Sequence, residues 1–278
     1  MEASSGGIER RMSDLDTTIQ RPIALVTGAS SGIGLELARQ FADHGFDLVV
    51  AAEDDGIHTA ADELATHGAE VRAEQVDLAN PLAVSALHRA ATTDGRPISA
   101  AALNAGIGVG GPFVETDLEA DLRLVDLNVR STVHLAKLLV RDMVAAGEGR
   151  LLFTASIAAT APGPYHATYA ASKAYVHSLA EALRVELKDT GITVTSLMPG
   201  PTDTEFFERG DMEDTPVGQG PKDDPATVAR DGFEALMAGK DHVVAGARRN
   251  NVQAGLASAL PDRAGAAAMA KQTKPRGD

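Results

Sequence analysis

Short apolar runs rich in β-branched residues alternate along this chain with longer Ala-rich stretches whose apolar positions recur at helical spacing. IALVTG, DLVVAA, EVRAEQVDL, ISAAALNAG, RLLFTAS, ITVTSLMPG and DHVVAG read as seven strands. The intervening segments predict helices at roughly 35–43, 57–67, 80–92, 118–146, 167–189 and 225–238. This alternation argues for βαβ units on a parallel sheet, and right-handed crossovers place helices on both of its faces. The expected fold is α/β, a single doubly wound domain around a seven-stranded parallel sheet. Two places break the rhythm: the Gly-rich turn NAGIGVGG after the fourth strand and an acidic segment, 202–222, after the sixth. Ligands of open α/β sheets bind beyond the carboxyl ends of the strands, so both segments are placed to line a site.

The pattern also sets the expected boundaries. Residues 1–20 are polar and small, lack the apolar centre of a secretory signal, and read as a flexible leader. Residues 21–250 form the expected domain, including 202–222 as a substrate loop, and 251–278 read as a partly mobile extension. Neither end is expected to carry chemistry.

Composition narrows the function. The 278 residues suffice for a core that needs no staples. The net charge of -14 disfavours nucleic acid and anionic membranes as partners. No apolar run approaches the ~20 residues of a membrane span, and the absence of Cys fits a cytoplasmic protein. The eight His are scattered without HxxxH or HExxH spacing, so no metal is expected.

The first strand runs directly into TGASSGIG, Thr27 to Gly34, and then into a helical pattern. Gly28, Gly32 and Gly34, at GxxxGxG spacing with Ser30, Ser31 and Ile33 between them, permit a tight turn. They bring backbone N–H groups and a helix N-terminus against a pyrophosphate. The second strand ends near Glu53, where such folds meet the adenosine ribose. A carboxylate there accepts from ribose hydroxyls and opposes a 2′-phosphate by about 2 kcal/mol, so NAD is expected over NADP. Ala52 occupies the position where that carboxylate would serve best, and Glu53 with Asp54 could instead begin an exposed loop.

YAASK sets a phenol, Tyr169, four residues ahead of an ammonium group, Lys173, on one helix face. Ser156 ends the fifth strand, thirteen residues earlier, and Asn128 lies in the long helical stretch before it. With TGASSGIG and Asn104-Ala105-Gly106, these motifs resemble the short-chain dehydrogenase/reductase family in order and spacing, over about residues 22–250. The resemblance implies a Rossmann domain of strand order 3-2-1-4-5-6-7, NAD(P) binding, and the tetrad Asn128, Ser156, Tyr169 and Lys173. It further implies that Asp77 and Leu78 hold the adenine and that Asn104, Ala105 and Gly106 lie beside the adenosine ribose. Pro199, Gly200, Thr202 and Thr204 would meet the nicotinamide, Lys173 its ribose, and Asn128 a relay water. Thr202 departs from the usual Val or Ile. Members commonly form homodimers or homotetramers through the helices predicted here at 118–146 and 167–189.

The chemistry is coherent without the family. Hydride exchange at a carbonyl carbon leaves alkoxide charge on oxygen, so a nearby group must exchange a proton there. A free Tyr titrates near 10. A neighbouring Lys173 favours the phenolate, and Ser156 can hydrogen-bond the substrate oxygen. The expected activity is hydride transfer between NAD(P) and a secondary alcohol or ketone. An epimerase or dehydratase relative is less compatible with GxxxGxG, and a non-catalytic sensor with an intact tetrad. Expected substrate contacts are Ser156, Tyr165, His166 and Phe206, with Phe113, Ile157, Met198, Phe207 and Met212 as further walls. His166 either faces the substrate or is an exposed loop residue. The acidic loop would discourage polyanionic substrates and could act as a mobile lid.

Overall fold

A computed structural model describes residues 20–276; the expected leader therefore lies outside the described residues except for Gln20. The apolar runs form β1 (Ile23–Thr27), β2 (Asp47–Ala52), β3 (Val71–Gln75), β4 (Ile98–Leu103), β5 (Gly149–Thr154), β6 (Ile192–Pro199) and β7 (His242–Ala245). All pair in parallel in the order β3-β2-β1-β4-β5-β6-β7, as expected. The inner strands β1 and β2 are buried at every position, whereas the edge strands β3 and β7 are only partly covered. Central strands of a parallel sheet are covered on both faces, which is why they read as continuous apolar runs.

On one face pack α1 (Gly32–Asp43), α2 (Gly56–Ala65) and α9 (Pro225–Met237), with Leu37, Phe41, Leu64 and Phe233 against Val26 and Val50. The rings of Phe41 and Phe233 meet edge to face at 5.2 Å. On the other face lie α3 (Pro81–Ala91), α4 (Leu118–Val125), α5 (Thr132–Ala146) and α6 (Ala167–Glu186), where Leu135, Leu139, Met143 and Val176 cover Leu25, Leu151 and Phe153.

Three departures from the expected elements matter for the site. The helix expected over 118–146 is interrupted by a π-helical turn, Asp126–Ser131, between α4 and α5, and Asn128 sits in it. Segment 202–222 is packed and contains two short helices, α7 (Phe206–Arg209) and α8 (Pro216–Gln219). Met212 and Thr215 are buried within it, so it is not the loose lid its composition suggests. The tail expected to be loose folds into α10 (Arg248–Ala259) and α11 (Asp262–Thr273). No helix among the described residues is long and apolar enough to cross a membrane.

The strand order reverses between β1 and β4, and connections leave in opposite directions on either side. A crevice therefore opens at the carboxyl ends of the strands, as doubly wound sheets require.

Candidate active site

The crevice is a cavity of about 260 Å³ bounded by TGASSGIG at one end and the acidic segment at the other. Gly28 and Gly32 adopt the left-handed backbone that glycine favours, with φ of 66° and 57°. A Cβ on Gly34 would lie 1.9 Å from the Gly28 carbonyl oxygen, so the turn closes only around a residue without a side chain. Ser31 precedes α1 without making a side-chain cap, which leaves the helix's first amides facing the cleft. Bare backbone donors at a helix N-terminus suit a pyrophosphate, and the Gly-rich cradle fits the dinucleotide expected there.

Long-range bonds fix the rest of this end. Thr27 Oγ1 accepts from the amides of Asn104 (3.0 Å) and Ala105 (3.1 Å), and Asn104 Nδ2 donates to the Thr27 carbonyl (3.2 Å). The Ser30 hydroxyl donates to Asp54 (2.8 Å), tying the turn to the end of β2. Glu53, Asp77 and Leu78 also line the cleft. Arg123 of α4 bridges two of these groups, pairing with Asp77 at 2.9 Å and with Glu53. Its guanidinium holds the Asp77 carboxyl below the usual carboxylate range, chiefly through their hydrogen bond. Sequence reasoning missed Arg123 because its link to β2 and β3 exists only in the folded chain.

Ser156, Tyr169 and Lys173 line the cleft's inner wall, and Asn128 lies buried outside the lining. Ser156 ends the loop after β5, its Oγ accepting from the Ala158 amide at 3.1 Å, and it is close enough to the Tyr169 phenol to lower its pKa. Lys173, one turn further along α6, is 5 % exposed. Its Nζ donates to the Thr154 carbonyl at 2.8 Å and lies 5.9 Å from the centre of the Tyr169 ring. Asn128, 1 % exposed, is held on three sides. Its Oδ1 accepts from the Ile107 amide, and its Nδ2 faces the Ile107 carbonyl and Ser172 Oγ, at 2.9, 2.9 and 3.0 Å. The π turn aims this side chain across the bundle; such turns commonly mark functional positions in helices. A Cβ on Gly106 would meet both Asn128 Oδ1 (3.1 Å) and Lys173 Nζ (3.2 Å), so glycine keeps these groups in reach of the cleft.

The electrostatics depart from the simple expectation that Lys173 lowers the Tyr169 pKa. Burial pushes the phenol up to about 12, with the Ser156 hydrogen bond acting in the opposite direction. Burial also pushes the Lys173 ammonium down to about 8. Loss of water around the ring is the larger of these two effects on Tyr169, and it favours the protonated phenol.

At the substrate end, Ile157, His166, Phe206, Phe207 and Met212 line the cleft as expected. Phe206 lies over Tyr169 with ring centroids 5.1 Å apart. His166 is a buried neighbour of Tyr169, 6.0 Å between centroids, and not an exposed loop residue; burial lowers its pKa to about 4. Phe113, Tyr165 and Met198 do not line it. Phe113 is 70 % exposed, Met198 faces the core beneath β6, and Tyr165 serves the backbone, its carbonyl accepting from the Gly111 amide at 2.8 Å.

Pro199, Gly200, Thr202 and Thr204 all border the cleft. The hydroxyl of the unusual Thr202 turns back to the Gly200 carbonyl at 2.9 Å. The wall that sequence reasoning missed comes from the tail, where Gln253, Met269, Gln272 and Thr273 also line the cavity. The tail's polarity and small residues carry no periodic signal strong enough to expose it.

Residues 22–214 match the model of the short-chain dehydrogenase family. The chain belongs to that family. It is 37 % identical over 208 residues to 1-deoxy-11-beta-hydroxypentalenate dehydrogenase of Streptomyces exfoliatus, covering 72 % of this chain and 76 % of that protein. It is 32 % identical to oxidoreductase UcpA of Salmonella typhimurium, over 77 % of this chain and 79 % of that one. A solved short-chain dehydrogenase from Sphingobium yanoikuyae, in complex with NADPH, superposes with a TM-score of 0.75 at 30 % identity, covering 86 % of this chain and 96 % of its own. A family structure from Burkholderia phymatum in complex with NAD also gives 0.75, at 26 % identity over 81 % of this chain and 89 % of its own. This short-chain dehydrogenase is an NAD(P)-dependent oxidoreductase acting on CH–OH groups.

Proposed function

We propose that the chain interconverts a largely apolar secondary alcohol and its ketone, with Tyr169 as general acid and base. One observation carries this reading: the neutral Tyr169 phenol, Ser156 and buried Lys173 meet at the wall of the same cleft that begins at the Gly-rich turn. Gly28–Gly34, Asn104–Gly106 and Pro199–Thr204 would hold NAD(P), which when bound would supply or accept the hydride. In ketone reduction Ser156 donates a hydrogen bond to the carbonyl oxygen, and Tyr169 gives up its proton as charge develops there. Lys173 stabilises the phenolate left behind, and Asn128 fixes the Ile107 backbone beside the path for reprotonation. Alcohol oxidation runs the same steps in reverse.

NAD is the preferred cofactor in this reading, because Glu53, Asp54 and Asp77 outnumber the single Arg123 guanidinium at the adenosine end. The chain also works as a homodimer or homotetramer, since Leu118, Leu122 and Val125 on α4 and Tyr175 and Val185 on α6 leave exposed apolar surface on the two helices.

A panel of secondary alcohols and ketones, assayed by nicotinamide absorbance with both cofactors, tests the reading. We expect turnover of apolar members and a higher kcat/KM with NAD(H). NADH binding without turnover of any member would leave a sensor in its place. A monomer in sedimentation would remove the oligomer from it.

A further inference from the structure

Past residue 214, where the family match ends, the chain builds an outer wall for the same cleft. Helix α11 is tied down on two sides. Thr273 Oγ1 donates to the Pro164 carbonyl at 2.7 Å, two residues ahead of His166. The Arg276 amide donates to the Asp214 carbonyl at 2.9 Å, and Arg276 Nη1 to Gln219 Oε1 at 2.8 Å. The end of α11 and the residues just after it thus grip both the approach to α6 and the acidic segment. Gly265 lets it sit close to the loop after β5, where a Cβ would lie 3.2 Å from that of Ala161.

On the inner side, Gln253 of α10 and Gln272 of α11 line the cavity and bond to each other, Gln253 Nε2 donating to Gln272 Oε1 at 3.0 Å. That bond uses one donor group and one acceptor of the pair. Gln272 Nε2 and Gln253 Oε1 take no part in that bond. The wall therefore presents a donor and an acceptor that this bond does not use, in the same cavity as the apolar Ile157, Phe206 and Met269.

We propose that α10 and α11 form a specificity wall, in which Gln253 and Gln272 together recognise a neutral hydroxyl or amide on the substrate, remote from the reacting carbon. This inference rests on the alcohol/ketone reading and adds its substrate class: an elongated molecule with an apolar body and a second, uncharged polar group. A hydroxyl or primary amide both donates and accepts, and so satisfies both groups. A carboxylate only accepts, which leaves Gln253 Oε1 unmatched.

The test uses methyl ketones of six to ten carbons, each with and without a terminal hydroxyl, on the full chain. Two readouts run together: NADH-dependent reduction, and binding to the NADH-loaded Tyr169→Phe variant followed by nicotinamide fluorescence. For at least one chain length the hydroxy ketone is expected to be favoured about tenfold, through KM and not kcat, and in binding alike. Gln272→Leu and Gln253→Leu should each reduce that preference to about twofold or less, with NADH affinity retained. A wild type without preference in either readout, or a variant that keeps it, overturns the proposal. Preferential binding that the Gln variants abolish, without reduction of any ketone, would sink the alcohol/ketone activity and leave the wall standing.

Discussion

The two ends of the cleft are built from different material. At one end a contiguous turn, Gly28 to Gly34, removes side chains so that backbone and a helix N-terminus border the cleft. At the other end the wall is mostly side chain, gathered from the loop after β5, the start of α6, the acidic segment and the C-terminal helices. Backbone recognition is indifferent to what lies beyond the phosphates, so it can serve one cofactor unchanged. Side chains from separated segments can each vary without disturbing the sheet, which is where specificity belongs in such folds.

If that division holds, single substitutions at the two ends should fail in opposite ways. Tyr169→Phe keeps the ring against Phe206 but deletes the exchangeable proton. We expect kcat to fall about 10³-fold, the span of general acid–base catalysis, with NADH affinity within about twofold of wild type. Gly34→Ala should do the reverse, because the added methyl collides with the Gly28 carbonyl and opens the cradle. NADH affinity in a fluorescence titration should weaken about 100-fold, while the melting temperature falls by only a few degrees, as a local overpacking defect predicts. Strong NADH binding by Gly34→Ala would break the comparison at its base.

The same contrast explains what the chain discloses before folding. The sheet order and the Gly-rich turn are legible because their determinants are local: apolar runs, glycines and a helix start within a few residues. The tetrad is legible through spacing, since Tyr169 and Lys173 share a helix face. Arg123 is not, because its partners Glu53 and Asp77 lie 70 and 46 residues away. Phe113 faces solvent, because proximity to the Gly-rich turn in sequence does not decide which way a side chain faces. The rise in the Tyr169 pKa follows from burial, which no local pattern encodes. Gln253 and Gln272 are hidden for the same reason, polar residues whose meaning comes only from the cavity they border.

The catalytic end has a titration of its own. Lys173 is pushed down to about 8 by burial, so it is protonated below that pH and loses its charge as pH rises through it. Tyr169, pushed up to about 12, keeps its proton across this range. The kcat/KM for ketone reduction at saturating NADH should therefore be level up to about pH 7 and then fall, approaching tenfold per unit above pH 8. A Lys173→Met variant should be slow at every pH and lack that descending limb. A limb that survives in the variant would assign it to another group.

The smallest expected effect probes the one place where the Gly-rich end also relies on distant side chains. Arg123 is shared between Glu53 and Asp77 at a half-exposed position, so its ion pairs count for little in stability. Their consequence is expected in cofactor choice: a guanidinium paired with both carboxylates would be less available to a 2′-phosphate. Glu53→Gln removes one negative charge and releases part of Arg123 from its pairing, and both changes act in favour of NADP(H). The ratio of kcat/KM for NADPH over NADH should rise about five- to tenfold, and the gain should shrink as salt screens the exposed charges. Arg123→Ala should move the ratio the other way by a few-fold, because Glu53 and Asp77 then face the phosphate uncompensated. If both variants shift the ratio in the same direction, Arg123 acts on the cofactor through packing and not through charge, and that end is less purely a backbone site than its glycines suggest.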